Sequence, residues 1–142
     1  MSVSRHDAEA FFDAMMSRDP ARIAPYVADD AEWLIVGPTE LFAYCGQHLG
    51  KEAVLAAYGR MGRIAAVTDF AREFTLTDGE SASALTRMTV TQSSTGRQVV
   101  ARLAQFARFR DGKVCEFCSI FDAFSVVEQL VEHAQSPALA DA

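Results

Sequence analysis

The sequence predicts an α+β fold in which a cone-shaped, curved antiparallel sheet wraps around N-terminal helices. Apolar residues recur at helical spacing first, and a strict period of two follows in the second half of the chain. Three turn signals, Asp78-Gly79, Ser94-Thr95-Gly96 and Asp111-Gly112, divide that half into four long strand candidates joined as hairpins. Helices followed by an antiparallel sheet are typical of an α+β layout, and a strongly bent sheet leaves a narrow interior that can stay unfilled.

The length and charge of the chain limit the classes of protein it can form. Its 142 residues fit one domain, residues 1–142, with a tail over residues 136–142 that we expect to fray. A net charge of −6 argues against binding nucleic acid. No stretch approaches the roughly 18 apolar residues of a membrane span, and the N-terminus does not resemble a signal peptide. We therefore expect a cytoplasmic protein without membrane partners.

The first helix is expected from about Arg5 to Ser17. Ser4 and Asp7 have the spacing of a capping box at its start. Phe11 and Met15 belong to its apolar stripe, which fits a core helix. A helix that closes the mouth of a pocket would show the same stripe, so both residues are also candidate ligand contacts.

The elements between this helix and the hairpins are shorter. Asp19-Pro20 predicts an N-cap and first residue of a brief helix. Ala31 to Val36 predicts a strand with Trp33 facing inward, and Leu41 to Cys45 a second short strand. A helix is expected to start near Gly50 and to present Val54, Ala57, Tyr58 and Met61 along one side.

The four hairpin strands are expected to begin near Val67, Glu80, Arg97 and Lys113. On the first of them, simple alternation places Phe70, Phe74 and Leu76 on one face together with Arg72. After the last strand, Ser125 and Glu128 have the spacing of a capping box and predict a terminal helix.

The stretch Arg97–Asp122 contains most of the candidate pocket. Gln105 lies on the otherwise apolar side of its strand, where a buried amide must either complete an internal network or meet a ligand in a cavity. On the next strand, Phe117, Ser119 and Phe121 share one side, and the strand ends at Asp122. An apolar wall with a few polar atoms is typical of a small-molecule pocket.

Metal and cofactor sites are not predicted. Cys115 and Cys118 form a CxxC pair, but three residues apart on a strand they face opposite sides of the sheet. The three histidines, His6, His48 and His133, show no ligand spacing.

Four phrases in the sequence resemble the nuclear transport factor two-like superfamily, in particular its SnoaL-like and ketosteroid isomerase-like branch. They are Tyr26–Trp33, His48–Val54, Phe109–Val114 and Ile120–Asp122. The resemblance implies a cystatin-like α+β barrel over nearly the whole domain and a homodimer formed through the outer face of the sheet. Because this fold hosts many activities, the function must be argued from the site.

The resemblance to ketosteroid isomerases does not extend to their catalytic groups. The position of the family's carboxylate base falls on Ile35, its oxyanion-hole tyrosine on Phe11 and its oxyanion-hole aspartic acid on Gln105. Only a tyrosine of the middle helix is kept, as Tyr58. In limonene epoxide hydrolases the terminal-strand carboxylate falls on Ser119. Neither activity is therefore expected.

SnoaL-type cyclases use one aspartate as acid and base, and the resemblance places that role on Asp122. The alternative is that Asp122 caps backbone amides where the terminal helix begins. His48 also has two interpretations, because it either lines the mouth of the cone as an acid or base or faces solvent from a loop.

Two functions follow from these residues. The first is a cofactor-free isomerase, cyclase or hydrolase that acts by acid/base chemistry on a small apolar, oxygen-bearing metabolite. Its pocket would be lined by Trp33, Tyr58, Phe117 and Phe121, with Asp122, His48 or Gln105 reaching inside. The second is a non-catalytic module that binds a small hydrophobic molecule or dimerises. A carboxylate in the cavity would favour the enzyme, and its absence would favour the binder.

Overall fold

The computed structural model describes residues 2–132, which form an α+β fold with a six-stranded, curved and unclosed sheet. The helical elements are α1 (Arg5–Met16), α2 (Pro20–Ile23), a 3-10 turn (Ala24–Tyr26), α3 (Lys51–Ile64) and α4 (Ala123–Glu132). The strands are β1 (Val27–Val36), β2 (Gly46–Leu49), β3 (Ala65–Asp78), β4 (Ser81–Gln92), β5 (Gln98–Arg110) and β6 (Lys113–Phe121). The expected fold class is confirmed, whereas the expected tail at residues 136–142 lies outside the described residues.

The sheet has the strand order β2-β1-β6-β5-β4-β3. The four long strands are the expected antiparallel meander, but β1 and β6 pair in parallel. A parallel pair needs a long connection, and α3 with the four strands β2 to β5 supplies it here. Asp111 and Gly112 both have positive φ, 53° and 78°, as a two-residue turn of type I′ requires between β5 and β6.

The starts of the helices follow local capping rules. Asp7 N donates to Ser4 Oγ at 3.0 Å, and Ala21 N donates to Asp19 Oδ1 at 3.0 Å, as expected for α1 and α2. The expected start of the last helix is wrong by one turn. Ser125 N donates to Asp122 Oδ1 at 3.0 Å, so Asp122 is the cap and Ser125 lies inside the helix.

The short strand expected at Leu41–Cys45 is also wrong. Phe42 N bonds to Pro38 O at 2.9 Å and Cys45 N to Phe42 O at 3.0 Å, so these residues turn the chain back after Pro38. The strand begins only at Gly46, and its His48 pairs with Trp33 of β1. His48 therefore lies in an edge strand rather than in a loop.

A bulge in β3 changes which side chains share a face. The register with β4 shifts between Arg72 and Phe74, and the extra residue reverses the alternation. Phe70 and Arg72 pair with residues of the inner face of β4, while Phe74 and Leu76 lie on the outer face. The expected common face is thus wrong. Arg72 Nη1 instead reaches Asp13 of α1 at 2.6 Å.

Aromatic side chains fill the narrow end of the curved sheet. The ring of Phe11 on α1 makes edge or tilted contacts with five rings, at centroid distances of 5.2–6.2 Å: Phe12, Tyr26, Trp33, Phe109 and Phe117. Trp33 stacks on Phe117 at 4.5 Å. The rings of this end of the fold therefore form a packed core.

Within residues 2–132, none of the helices is long and apolar enough to cross a membrane. The same residues contain no cluster of three or more histidines, cysteines or carboxylates that could hold a metal ion. Cys45, Cys115 and Cys118 are free thiols.

Candidate ligand-binding site

A cavity of about 290 Å³ lies at the wide end of the fold, between the helices and the inner face of the sheet. Its volume is at the lower end of the range for small-molecule sites, so it suits a compact ligand. Most of its wall is apolar, and it includes four of the five methionines of the chain: Met15, Met16, Met61 and Met88. Flexible thioether side chains adapt to different ligand shapes at little cost.

The strand register explains why these side chains meet. Met88 pairs with Ala101 between β4 and β5, and Leu103 pairs with Phe121 between β5 and β6. Because side chains alternate between faces, all four point to the inner side of the sheet, where they line the cavity. The small side chain of Ala101 leaves room in the floor of the cavity.

Gln105 and Ser119 are polar groups on this wall. They lie directly opposite each other on β5 and β6, and both line the cavity. Gln105 is only 1% exposed, and its Oε1 accepts no hydrogen bond from the described residues. An unpaired buried amide oxygen is costly, so a donor from a ligand or water fits here. Of the two interpretations of Gln105, the structure favours the cavity over a closed internal network.

Tyr58 reaches the cavity from α3. Its Oη accepts a hydrogen bond from Trp33 Nε1 at 3.1 Å, which leaves the phenolic hydrogen available as a donor. Burial raises the pKa of Tyr58 well above its ordinary value. The hydroxyl is therefore neutral at physiological pH.

Arg18 is one of the site residues that were not predicted from the sequence. It directly follows Ser17, the C-cap of α1, and its side chain lines the cavity. Its backbone is left-handed, with φ 51°. Its Nη1 donates to the carbonyl oxygen of Ala65 at 2.6 Å. Among residues 2–132, no carboxylate forms an ion pair with it. Burial lowers the pKa of the guanidinium, but an arginine of this kind stays charged.

Tyr44 belongs to the turn that follows Pro38 and lines the same cavity. Its side chain is half-buried, and burial raises the pKa of Tyr44, so its hydroxyl also stays protonated. Arg18, Tyr44 and Tyr58 give the cavity a set of hydrogen-bond donors on the side away from the sheet.

Helix α4 closes part of the cavity with Val126 and Leu130. It is attached to the sheet by Gln129, whose Oε1 accepts from Val100 N at 2.9 Å and whose Nε2 donates to Val100 O at 2.7 Å. β6 ends at Phe121, opposite Leu103, so it does not reach Val100. The amide of Gln129 therefore satisfies backbone groups that have no strand partner.

The two residues expected to act as acid or base lie elsewhere. Asp122 is exposed and caps α4, which is the second of its two interpretations, and it does not line the cavity. His48 is half-buried on β2, and its Nε2 is 2.8 Å from the carbonyl oxygen of Tyr44. It too lies outside the lining of the cavity.

The eight expected ligand contacts divide into two groups. Met15, Tyr58, Gln105, Ser119 and Phe121 line the cavity. Phe11, Trp33 and Phe117 pack against one another at the closed end instead. Among the described residues, the lining contains no aspartate or glutamate.

The family model for the SnoaL-like domain matches residues 8–117. The chain therefore belongs to the SnoaL-like domain family, with the nuclear transport factor two-like fold that the sequence phrases indicate. Among curated proteins, no match to the chain was found.

Solved structures share this architecture over most of the chain. A protein of Rhodopseudomonas palustris named as a candidate isomerase is 25% identical, covers 92% of this chain and 99% of that one, and has a TM-score of 0.83. A ketosteroid isomerase-like fold from Catenulispora acidiphila, in complex with trimethylamine, is 13% identical, with coverage of 89% and 93% and a TM-score of 0.73. An epoxide hydrolase of Mycobacterium tuberculosis, named as limonene epoxide hydrolase-like, is 16% identical, with coverage of 89% and 88% and a TM-score of 0.70.

Proposed function

We propose that the protein binds a compact, largely apolar small molecule in the cavity at the wide end of the sheet. The observation that carries this proposal is a partly enclosed, methionine-rich space of about 290 Å³ whose described lining contains few polar groups. Burial of apolar ligand surface provides the affinity, at about 25 cal/mol per Å² before the costs of association. Gln105 and Ser119 orient the ligand by hydrogen bonds.

Binding is favoured over carboxylate acid/base chemistry because that chemistry lacks a suitably placed group. A general base must come within hydrogen-bond reach of the proton it removes. Asp122 is engaged by the amide of Ser125 at the exposed start of α4, outside the cavity, and the described lining contains no aspartate or glutamate.

A cofactor-free enzyme is the second candidate, favoured by the likeness to the candidate isomerase of Rhodopseudomonas palustris. The chemistry available to it would be stabilisation of a negatively charged oxygen by Arg18 and the two neutral tyrosines. Multiple-turnover assays on ligands that bind separate the candidates, since a binder returns its ligand unchanged.

The test of the proposed site compares the same substitution at two alanines of the sheet. Ala101→Phe adds a ring to the floor of the cavity, whereas Ala66→Phe adds the same ring at an exposed position of β3, outside the cavity and the apolar rows of the outer face. Calorimetric titration with a neutral panel of indole, cyclohexanol and hexanamide should show binding to the wild type and Ala66→Phe, and at least tenfold weaker binding to Ala101→Phe. Equal binding to all three proteins would place the ligand elsewhere.

We also propose that two copies of the chain associate through the outer face of the sheet. Two adjacent rows cross five strands there: Leu34, Cys118, Phe106, Ser83 and Leu76 form one, and Val36, Ile120, Ala104, Leu85 and Phe74 form the other. Six of these ten are large apolar side chains that are 40–60% exposed. A patch of this kind on a monomer marks an interaction surface.

Charge on either side of these two rows favours a second copy as the partner. On one side lie Glu32, Asp78 and the Arg108–Glu116 ion pair, and on the other lie Arg87 and the Arg102–Glu73 ion pair. In a face-to-face pair with its twofold axis along the rows, Glu32 and Asp78, which give one side a net negative charge, meet the side of the other copy to which Arg87 gives a net positive charge. A homodimer therefore satisfies both the apolar and the charged parts of the surface.

A further inference from the structure

We propose that the ligand of this cavity is an apolar carboxylic acid bound in its ionised form, with its carboxylate held by Arg18. This inference rests on the proposed function, because it names the chemical class of the molecule that the same cavity binds. It depends on two observations: the guanidinium of Arg18 lines the cavity, and no described carboxylate pairs with it.

The guanidinium has more donors than the protein uses. Arginine carries five N–H groups, and one of them bonds to a neutral carbonyl, that of Ala65. The described salt bridges pair five of its other arginines, among them Arg72 and Arg102, with carboxylates. Arg18 lines the cavity and has no such partner among residues 2–132. Arg18 is half-buried, so its charge is partly desolvated, and an anion bound beside it would offset that cost.

The fold holds Arg18 at this place by two unusual features. Its backbone is left-handed at φ 51°, a conformation that favours glycine or asparagine after a helix. Gly62 of α3 packs against it so closely that a Cβ at Gly62 would lie 3.1 Å from the carbonyl oxygen of Arg18. Backbone strain of this kind is tolerated at functional sites, where it fixes the position of a side chain.

The other donors of the cavity complete a carboxylate site. Tyr44 and Tyr58 are both neutral hydroxyls that line the same space as Arg18. A carboxylate has two oxygens that accept several hydrogen bonds, and arginine binds it with two parallel N–H groups. The apolar part of the ligand would then lie against Met61 and Met88.

Matched ligand pairs that differ only in charge test this assignment. Hexanoate is compared with hexanamide and benzoate with benzamide, by calorimetric titration at neutral pH. The proteins are the wild type, Arg18→Met, which keeps the apolar stem, Arg18→Lys, which keeps the charge, and Arg18→Asn, which suits the left-handed backbone. Circular dichroism verifies that each variant is folded.

In the wild type the carboxylate is expected to bind about tenfold more tightly than its amide, as a charge-assisted hydrogen bond predicts. In Arg18→Met and Arg18→Asn this preference falls to about one while amide affinity stays within about threefold. Arg18→Lys keeps part of it. A merely structural arginine would instead change the affinity for both ligands of a pair equally.

Three outcomes overturn the assignment. Equal binding of carboxylate and amide to the wild type does so while leaving the proposed function intact. A carboxylate preference that persists in Arg18→Met and Arg18→Asn also does so, because another group then supplies the charge. If neither member of either pair binds, the carboxylate assignment fails, and the neutral panel with Ala101→Phe decides the proposed function separately.

Discussion

Trp33 Nε1 donates a hydrogen bond of 3.1 Å to the hydroxyl oxygen of Tyr58, which joins β1 to α3 inside the protein. Trp33 belongs to the aromatic cluster that fills the narrow end of the fold, and Tyr58 lines the cavity at the wide end. The bond therefore lies at the boundary between packed core and binding site. It also fixes the Tyr58 oxygen so that the phenolic hydrogen is left for a ligand.

Removing this hydroxyl should destabilise the protein. Tyr58→Phe leaves the indole N–H of Trp33 buried without an acceptor, so we expect the free energy of unfolding to fall by about 1–3 kcal/mol. Tyr26→Phe is the control, because the half-buried Tyr26 contacts Phe11 by its ring. Urea denaturation followed by circular dichroism measures both. An equal loss in the two variants would show that the Trp33 bond contributes nothing.

The raised pKa of Tyr58 predicts how stability responds to alkaline pH. A tyrosine in the unfolded chain loses its proton near pH 10, whereas burial keeps Tyr58 protonated above that pH in the folded protein. The folded state thus binds more protons above pH 10, and its stability falls as pH rises. Between pH 10 and 11.5, the wild type should lose more unfolding free energy than Tyr58→Phe does. Parallel curves for the two proteins would contradict this.

The alternation of apolar residues was sufficient to predict the inner wall of the sheet. Gln105, Ser119 and Phe121 were expected on one side of the hairpin, and they line the cavity. The pattern works there because strand side chains alternate strictly. It fails at Phe74, since a bulge adds one residue to β3 without any mark in the sequence.

The groups that come from the helices and loops were harder to predict. Arg18 follows the end of α1, where no periodicity applies, and its contact with the cavity depends on the tertiary approach of Gly62. Asp122 lies between a strand and a helix, so the sequence allowed both a pocket carboxylate and a cap. Trp33 and Phe117 were expected to line the pocket, but they stack on each other at the filled end of the fold. The sequence does not show this, because packing decides which part of the interior is filled and which stays open.

Gln129 should control how easily ligands enter and leave. Gln129→Leu keeps the size of the side chain but removes both bonds to the backbone of Val100. We expect faster hydrogen exchange at the Val100 amide and a ligand dissociation rate at least threefold higher, measured by NMR and stopped-flow fluorescence. Glu128→Ala on the exposed side of α4 is the control. Unchanged exchange at Val100 would show that α4 is held by packing alone.

The outer apolar rows predict a dimer that should dissociate when a charged side chain replaces one of their apolar residues. Phe106 lies in the middle of the rows and is 49% exposed, so Phe106→Arg should leave the fold intact and give a monomer. Phe124→Arg introduces the same charge at an exposed phenylalanine on α4 and should remain dimeric. Sedimentation equilibrium distinguishes the two states. A monomeric wild type, or a dimeric Phe106→Arg, would refute the proposed interface.

The central claim, that a small apolar molecule occupies the methionine-lined cavity, is tested most directly by NMR of methyl-labelled methionine. Met15, Met16, Met61 and Met88 all line the cavity, so titration with hexanamide should shift their signals in the wild type and in Ala66→Phe. The same titration should leave them in place in Ala101→Phe. If the four signals do not move in the wild type while hexanamide binds by calorimetry, the ligand lies outside the cavity and the account is wrong.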